Sequence, residues 1–166
     1  YKNLYGIDIS QYAIEQAKHI SPNANFQIMN AESLKFKKEQ FKLILAIDVI
    51  EHVKNPEKCI KECNRILNKE GILIIVTPNP ESYSHKINKD KWFAYRDTTH
   101  ISIKPQREWI EILKKNNFAI QTAKTIDLFD FPHFNKLFQL FNKIKYELKN
   151  PFLKKIGDNT IIIAHK

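Results

Sequence analysis

Phe41-Lys42-Leu43-Ile44-Leu45-Ala46-Ile47-Asp48-Val49-Ile50-Glu51-His52-Val53 is the stretch on which the fold turns. Its first seven residues are apolar apart from Lys42, and the run is continuous rather than alternating. That pattern predicts a parallel strand covered on both faces. A carboxylate follows at once, at Asp48. In an open, doubly wound sheet ligands bind beyond the carboxyl ends of the strands, so the residues that close this run are candidates for chemistry.

The flanking sequence supports such a sheet. Upstream, residues 4–7 read as a short strand ending at Asp8. Ser10 can cap a helix running to about His19, with Tyr12, Ala13, Gln16 and Ala17 on one modest apolar face. Ser21-Pro22-Asn23 breaks that helix, residues 26–29 form a second strand, and Asn30-Ala31-Glu32 is a polar turn. Downstream, Asn55 is an N-cap, Pro56 sits at the first helical position and Glu57 lies near the positive end of the helix dipole. The helix they open places Cys59, Ile60, Cys63, Ile66 and Leu67 at the 3.6 period and ends before Gly71. A fourth, uniformly apolar strand spans 72–77. Strand and helix alternating in this order predict an α/β fold with a doubly wound, mostly parallel sheet. Residues 81–104 read as a long polar loop bearing aromatics. Pro105 opens a helix to about Asn116, and 118–126 and 159–164 are strands. A helical insertion at 127–158 carries Phe134, Leu137, Phe138, Phe141, Ile144 and Leu148 at helical spacing. No internal repeat interrupts the chain, which reads as one domain over 1–166.

Composition narrows the possible partners. The 166 residues carry a formal charge of +9, from 24 lysines and three arginines against 18 acids; residues 101–166 hold twelve bases to six acids. Lysine without arginine argues against nucleic acid, because arginine makes the bidentate phosphate and guanine contacts. Three glycines, Gly6, Gly71 and Gly157, exclude a G-x-G-x-x-G or Walker loop within these residues. Cys59 and Cys63 have no second pair and no histidine at zinc spacing, so they read as small core residues. No apolar run approaches the length of a membrane span and no leader pattern opens the sequence, which gives a reducing, cytoplasmic setting as the expectation.

Gly6-Ile7-Asp8-Ile9-Ser10, Asn30-Ala31-Glu32-Ser33-Leu34, the run from Phe41 to Val53, Gly71-Ile72-Leu73-Ile74-Ile75-Val76-Thr77-Pro78-Asn79 and Asp97-Thr98-Thr99-His100-Ile101 resemble successive motifs of class I S-adenosylmethionine-dependent methyltransferases. Asp48 to Val53 is the most specific part. The resemblance covers roughly 4–126 and returns at 159–164. It implies a Rossmann-like methyltransferase fold with an antiparallel C-terminal strand, and S-adenosylmethionine as cofactor. By that resemblance Asp8 binds the ribose hydroxyls and Ile9 lies against the adenine. Asn30 and Ala31 meet the adenine edge, and Asp48 and Val49 close the pocket near the methionine moiety. The family's first strand and its glycine-rich loop would lie before Tyr1, so the expectation is a domain lacking them.

Two histidines are candidate catalytic groups. His100, in the loop after the fourth strand, suits a general base on an acceptor hydroxyl or amine. His52 follows Glu51, and Asp48, Glu51 and His52 have a spacing that puts three ligands on one helical face. Quinone-biosynthesis O-methyltransferases look similar here. The favoured reading has no metal: Asp48 caps the turn with Glu51, and His52 is held by a hydrogen bond. Trp92, Tyr95 and Arg96 could shape an acceptor pocket or pack their loop. The acceptor expected is a small molecule, lipid precursor or glycan, and the oligomeric state is open. The 131–149 helix, with Lys136, Lys143, Lys145 and Lys149 flanking its apolar stripe, is a lid or subunit contact, or a peripheral membrane contact. The rival function is a non-catalytic methyltransferase-like domain that binds without turnover.

Overall fold

A computed structural model of the chain describes residues 3–126 and 157–166. Most of the 127–158 insertion, and the 131–149 helix with it, lies outside the described residues. The order is β1 (Tyr5–Asp8), α1 (Gln11–Ile20), β2 (Asn25–Ile28), β3 (Phe41–Ile47), a 3-10 turn (Ile50–His52), α2 (Pro56–Ile66) and β4 (Leu67–Pro78). Then come α3 (Tyr83–Asn88), a second 3-10 turn (Lys89–Lys91), α4 (Phe93–Arg96), α5 (Gln106–Lys115), β5 (Ala119–Ile126) and β6 (Asn159–His165). This is the expected α/β architecture.

The strands form two sheets. β1 and β2 pair in parallel, while the second sheet runs β3-β4-β6-β5, with β3 parallel to β4 and β6 antiparallel to both its neighbours. β1 and β3 are not hydrogen-bonded to each other. Side chains bridge them instead: the rings of Tyr5 and Phe41 are 5.4 Å apart edge to face, Phe36 stacks edge-on to both, and Ile7 packs with Met29, Leu34, Phe41, Ile44 and Ile66.

The main core lies on one face of the larger sheet. Ala46, Leu73, Ile75, Ile162 and Ala164 point into it, and α2 and α5 cover it with Cys59, Ile60, Cys63, Trp109 and Leu113. Each fully buried apolar side chain there is worth about 1.5–3 kcal/mol. The Asn55 side chain accepts the Lys58 N–H (3.0 Å) to start α2, with Pro56 behind it as the sequence predicts. Cys59 and Cys63 are buried and free. The Cys59 hydrogen bond and burial push the Cys63 thiol well up, which disfavours its thiolate.

Four expectations change. β3 is covered on one face only: Leu43, Leu45 and Ile47 remain 49%, 57% and 51% exposed, because no described helix packs on that side. α1 buries Ile14, while Tyr12 faces solvent, since the contact of this helix with β1 and β2 is narrow. α2 passes directly into β4 at Leu67, five residues before the expected strand, and the Asn68–Gly71 surplus is absorbed by a register shift opposite Phe41 and Leu43. The 81–104 loop contains α3, α4 and a 3-10 turn. Ser82 starts α3 by accepting the His85 N–H, a local bond too short-ranged to raise a periodic signal.

Candidate functional site

The carboxyl ends of the strands carry two clusters. The first is a cavity of about 330 Å³ lined by Ile9, Ile28, Met29, Asn30, Ser33 and Lys35. It forms because β1 and β2 are parallel and end together at Asp8 and Ile28, so the segments that leave them, from Ile9 and from Met29-Asn30, emerge side by side. Asp8 and Ala31 flank those two in sequence but are not part of the lining. Asp8 Oδ1 accepts the Ser10 N–H (2.7 Å), leaving Oδ2 open to a ligand; Asn30 Oδ1 accepts the Glu32 N–H (2.8 Å), leaving its amide N–H₂ free. Glu32 in turn accepts the Asn55 N–H (3.0 Å), which ties this turn to the start of α2. A largely apolar slot with the Asn30 amide, Ser33 and Lys35 as donors and a nearby carboxylate has the chemistry to take a purine and its ribose. Ile28, Met29, Ser33 and Lys35 are lining residues that the sequence reading does not single out. Their only signal is position at the end of β2 or in the turn that follows it.

The second cluster lies at the ends of β3 and β4. Glu51 is fully buried; its Oε2 accepts the Thr77 hydroxyl (3.0 Å) and its Oε1 has no partner. Burial pushes its carboxyl above the ordinary range, against the lowering effect of its backbone and Thr77 bonds. The Thr99 hydroxyl donates to Asp97 Oδ1 (2.5 Å), so Thr99 Oγ1 accepts from His52 Nδ1 (2.8 Å), which must then carry the proton. His100 Nδ1 donates to the Ala94 carbonyl (2.7 Å). Both rings, 4.6 Å apart, therefore have Nε2 as the nitrogen these bonds leave over, and that of His100 lies 3.7 Å from Asp97 Oδ2. The hydrogen bonds from Thr99 hold the Asp97 carboxyl below the usual range.

One ligand atom each from Glu51, His52 and His100 lies within 4.8 Å of the others, and this is the group among the described residues that a divalent cation could share. Asp48 does not join it. The turn begins at Ile50 with Val49 at its N-cap, and no side chain caps it, so the expected Asp48–Glu51 capping arrangement is absent. Asp48 takes a left-handed backbone (φ 50°) at the exposed end of β3, beside the partly exposed Val49. Glu51 turns inward to Thr77 instead. His52 is hydrogen-bonded as expected. Trp92 is buried and packs its segment down, whereas Tyr95 and Arg96 face outward.

These features define an α/β protein of the Rossmann-like class, with a cavity of about 330 Å³ at the ends of its first two strands and a polar histidine cluster at the ends of β3 and β4. A model described as a methyltransferase domain matches residues 1–123, and the chain belongs to that family. A ubiquinone biosynthesis O-methyltransferase of Pelagibacter ubique is 30% identical over 162 residues, covering 92% of this chain and 66% of the relative. An uncharacterized protein of Methanocaldococcus jannaschii is 37% identical over 127 residues, covering 73% of this chain and 58% of the relative. The chain thus spans two thirds or less of the length of these relatives. Among solved structures, a Thermotoga maritima S-adenosylmethionine-dependent methyltransferase, described as a possible histamine N-methyltransferase, aligns with a TM-score of 0.68 at 24% identity over 97% of this chain and 72% of that one. That likeness establishes the class I methyltransferase fold.

Proposed function

We propose that this chain carries the adenosine-binding and acceptor-facing parts of an S-adenosylmethionine-dependent methyltransferase acting on a small-molecule or lipid-precursor acceptor. The observation that supports it most is the cavity between Ile9 and Asn30, with the open Asp8 Oδ2 beside it. In this reading Asp8 accepts the ribose hydroxyls, Ile9 and Ile28 sandwich the purine, and Asn30 donates to its edge. Ala31 borders the same edge through its backbone. Asp48 and Val49 border the methionine end. The bound cofactor supplies a methyl group made electrophilic by an adjacent sulfonium. His100 Nε2 takes the proton of the attacking acceptor group, and His52 helps hold the 97–100 loop through Thr99. Positioning for in-line attack is the larger contribution. The closeness to an O-methyltransferase favours an oxygen acceptor. A further parallel strand between β1 and β3 belongs to the same reading, since it would pair both open edges.

The test is a thermal melt with S-adenosylhomocysteine, followed by transfer of labelled methyl to phenolic and catechol acceptors. Binding at a hundredfold over Kd gives about 2.7 kcal/mol of stabilisation. No shift at any concentration would favour the non-catalytic binding domain.

A further inference from the structure

We propose that the outward face of the 83–96 segment docks on an anionic phospholipid surface. The inner face of this segment is fully engaged. Ser82 caps α3 through the His85 N–H (3.1 Å), the His85 ring bonds the Pro80 carbonyl, and buried Trp92 donates from Nε1 to Ser84 Oγ (3.1 Å), which itself bonds the Asp158 carboxylate. The rings of His85, Trp92 and Tyr95 stack within 4.7–5.2 Å of one another. The platform is therefore anchored to the domain, and its outer side is what remains to be explained.

That outer side is apolar with a cationic rim. Tyr83 and Ile87, one turn apart on α3, are 58% and 61% exposed. Lys86, Lys89, Lys91 and Arg96 are all exposed with Asp90 as the lone acid from 83 to 96, and none of the four cations forms an ion pair with a described residue.

This composition fits a lipid headgroup layer better than a protein. Tyrosines prefer the membrane–water boundary, an apolar residue reaches the acyl region, and lysines meet anionic headgroups. Protein interfaces, by contrast, are depleted in lysine. Among the described residues no helix is long and apolar enough to cross a membrane, so the contact is peripheral. Apolar insertion and charge act together, since either signal alone gives only marginal binding. The inference stands whether or not the chain transfers methyl groups.

Vesicle co-sedimentation tests it, comparing pure phosphatidylcholine with vesicles containing roughly 30% phosphatidylglycerol as the anionic lipid. The chain should bind the anionic vesicles alone, and raising salt from about 0.05 to 0.5 M should weaken that binding at least tenfold by screening. Lys86→Gln with Lys89→Gln and Lys91→Gln should weaken binding roughly a hundredfold, about fivefold per lysine. Tyr83→Ser with Ile87→Ser should abolish it, and circular-dichroism melts of both variants should match the parent because these side chains are exposed. No preference for anionic vesicles overturns the proposal. So does binding that survives both sets of substitutions and is lost only when Lys136, Lys143, Lys145 and Lys149 are replaced, an outcome that assigns the contact to 131–149.

Discussion

Arg65 is the residue whose loss should couple stability to the cavity between Ile9 and Asn30. From α2 its guanidinium donates to Glu62 from Nε and Nη2 (2.8 Å each), to the Leu34 carbonyl (2.7 Å) and to the Phe36 carbonyl (2.8 Å); Glu62 accepts the Leu34 N–H in return (2.9 Å). These bonds pin residues 34–36 to the helix, and Ser33 and Lys35 line the cavity. Arg65→Met keeps the apolar stem and removes every donor. Each carbonyl bond is worth about 1 kcal/mol net. The ion pair adds about 0.5 kcal/mol, because its side chains are 34% and 20% exposed and water screens them. The expected loss is therefore about 2–3 kcal/mol, or roughly 5–10 °C in Tm for a domain of this size. Urea unfolding at neutral pH reads it directly, and S-adenosylhomocysteine affinity should fall in parallel. The hydrogen bond from Arg65 holds the Glu62 carboxyl below the usual range. Its share of stability is thus present above the ordinary glutamate pKa and lost as pH falls through the lowered one. The deficit of the variant should accordingly shrink in acid. A deficit under about 0.5 kcal/mol, or one that grows as pH falls, would refute the reasoning.

Four further outcomes follow from the site. Glu51→Gln should stabilise the fold at neutral pH: burial raises this carboxyl, so Glu51 costs nothing below the ordinary glutamate pKa and becomes destabilising as pH rises through the interval to its raised value. Parallel melts at pH 4 and pH 8 check this, and equal effects at both would contradict it. His100→Ala should lower kcat by about 10²–10⁴ while leaving S-adenosylhomocysteine binding intact. Dialysis against a chelator should leave activity unchanged; loss restored by a divalent cation would instead make Glu51, His52 and His100 a metal site. Asp8→Asn should weaken cofactor binding roughly 10- to 100-fold, the worth of a charge-assisted hydrogen bond, in calorimetric titration.

The elements that follow from local chemistry were readable from the chain, and those that depend on distant partners were not. Asn55-Pro56-Glu57 marks the start of α2 because capping is satisfied within one turn. The apolar run at 41–47 marks β3 for the same local reason. The inward turn of Glu51 could not be read this way, since its partner Thr77 is 26 residues away and the choice between capping a turn and bonding that hydroxyl is made by the packing of β3 on β4. His52 and His100, 48 positions apart, meet through Thr99 and the Ala94 carbonyl, contacts that no periodicity encodes. The residues proposed to bind the cofactor divide in the same manner. Ile9 and Asn30 share a cavity because their strands pair directly, whereas Asp48 belongs to the other sheet.

That division between sheets yields a prediction with an internal control. Asp48 N–H bonds the Val76 carbonyl (2.9 Å), so alternation along the strand turns the amides of Ile44 and Ala46 toward β4 and those of Leu43, Leu45 and Ile47 toward β1. On the other side, Met29 N–H bonds the Asp8 carbonyl (2.9 Å) and Asn25 N–H the Leu4 carbonyl (2.8 Å), which leaves Tyr5 and Ile7 facing β3. Two rows of backbone without strand pairing thus look at each other across a gap bridged by the rings of Tyr5, Phe36 and Phe41. Hydrogen exchange on the 166-residue chain should be slow at Ile44 and Ala46 and orders of magnitude faster at Tyr5, Ile7, Leu43, Leu45 and Ile47. In a longer chain that supplies a parallel strand to the gap, both sets should be slow, and the exposed Leu43, Leu45 and Ile47 should be covered by whatever connects that strand to β1. Uniform protection of β3 in the 166-residue chain would mean that β1 and β3 already pair, and the proposed intervening strand would have no edge to join.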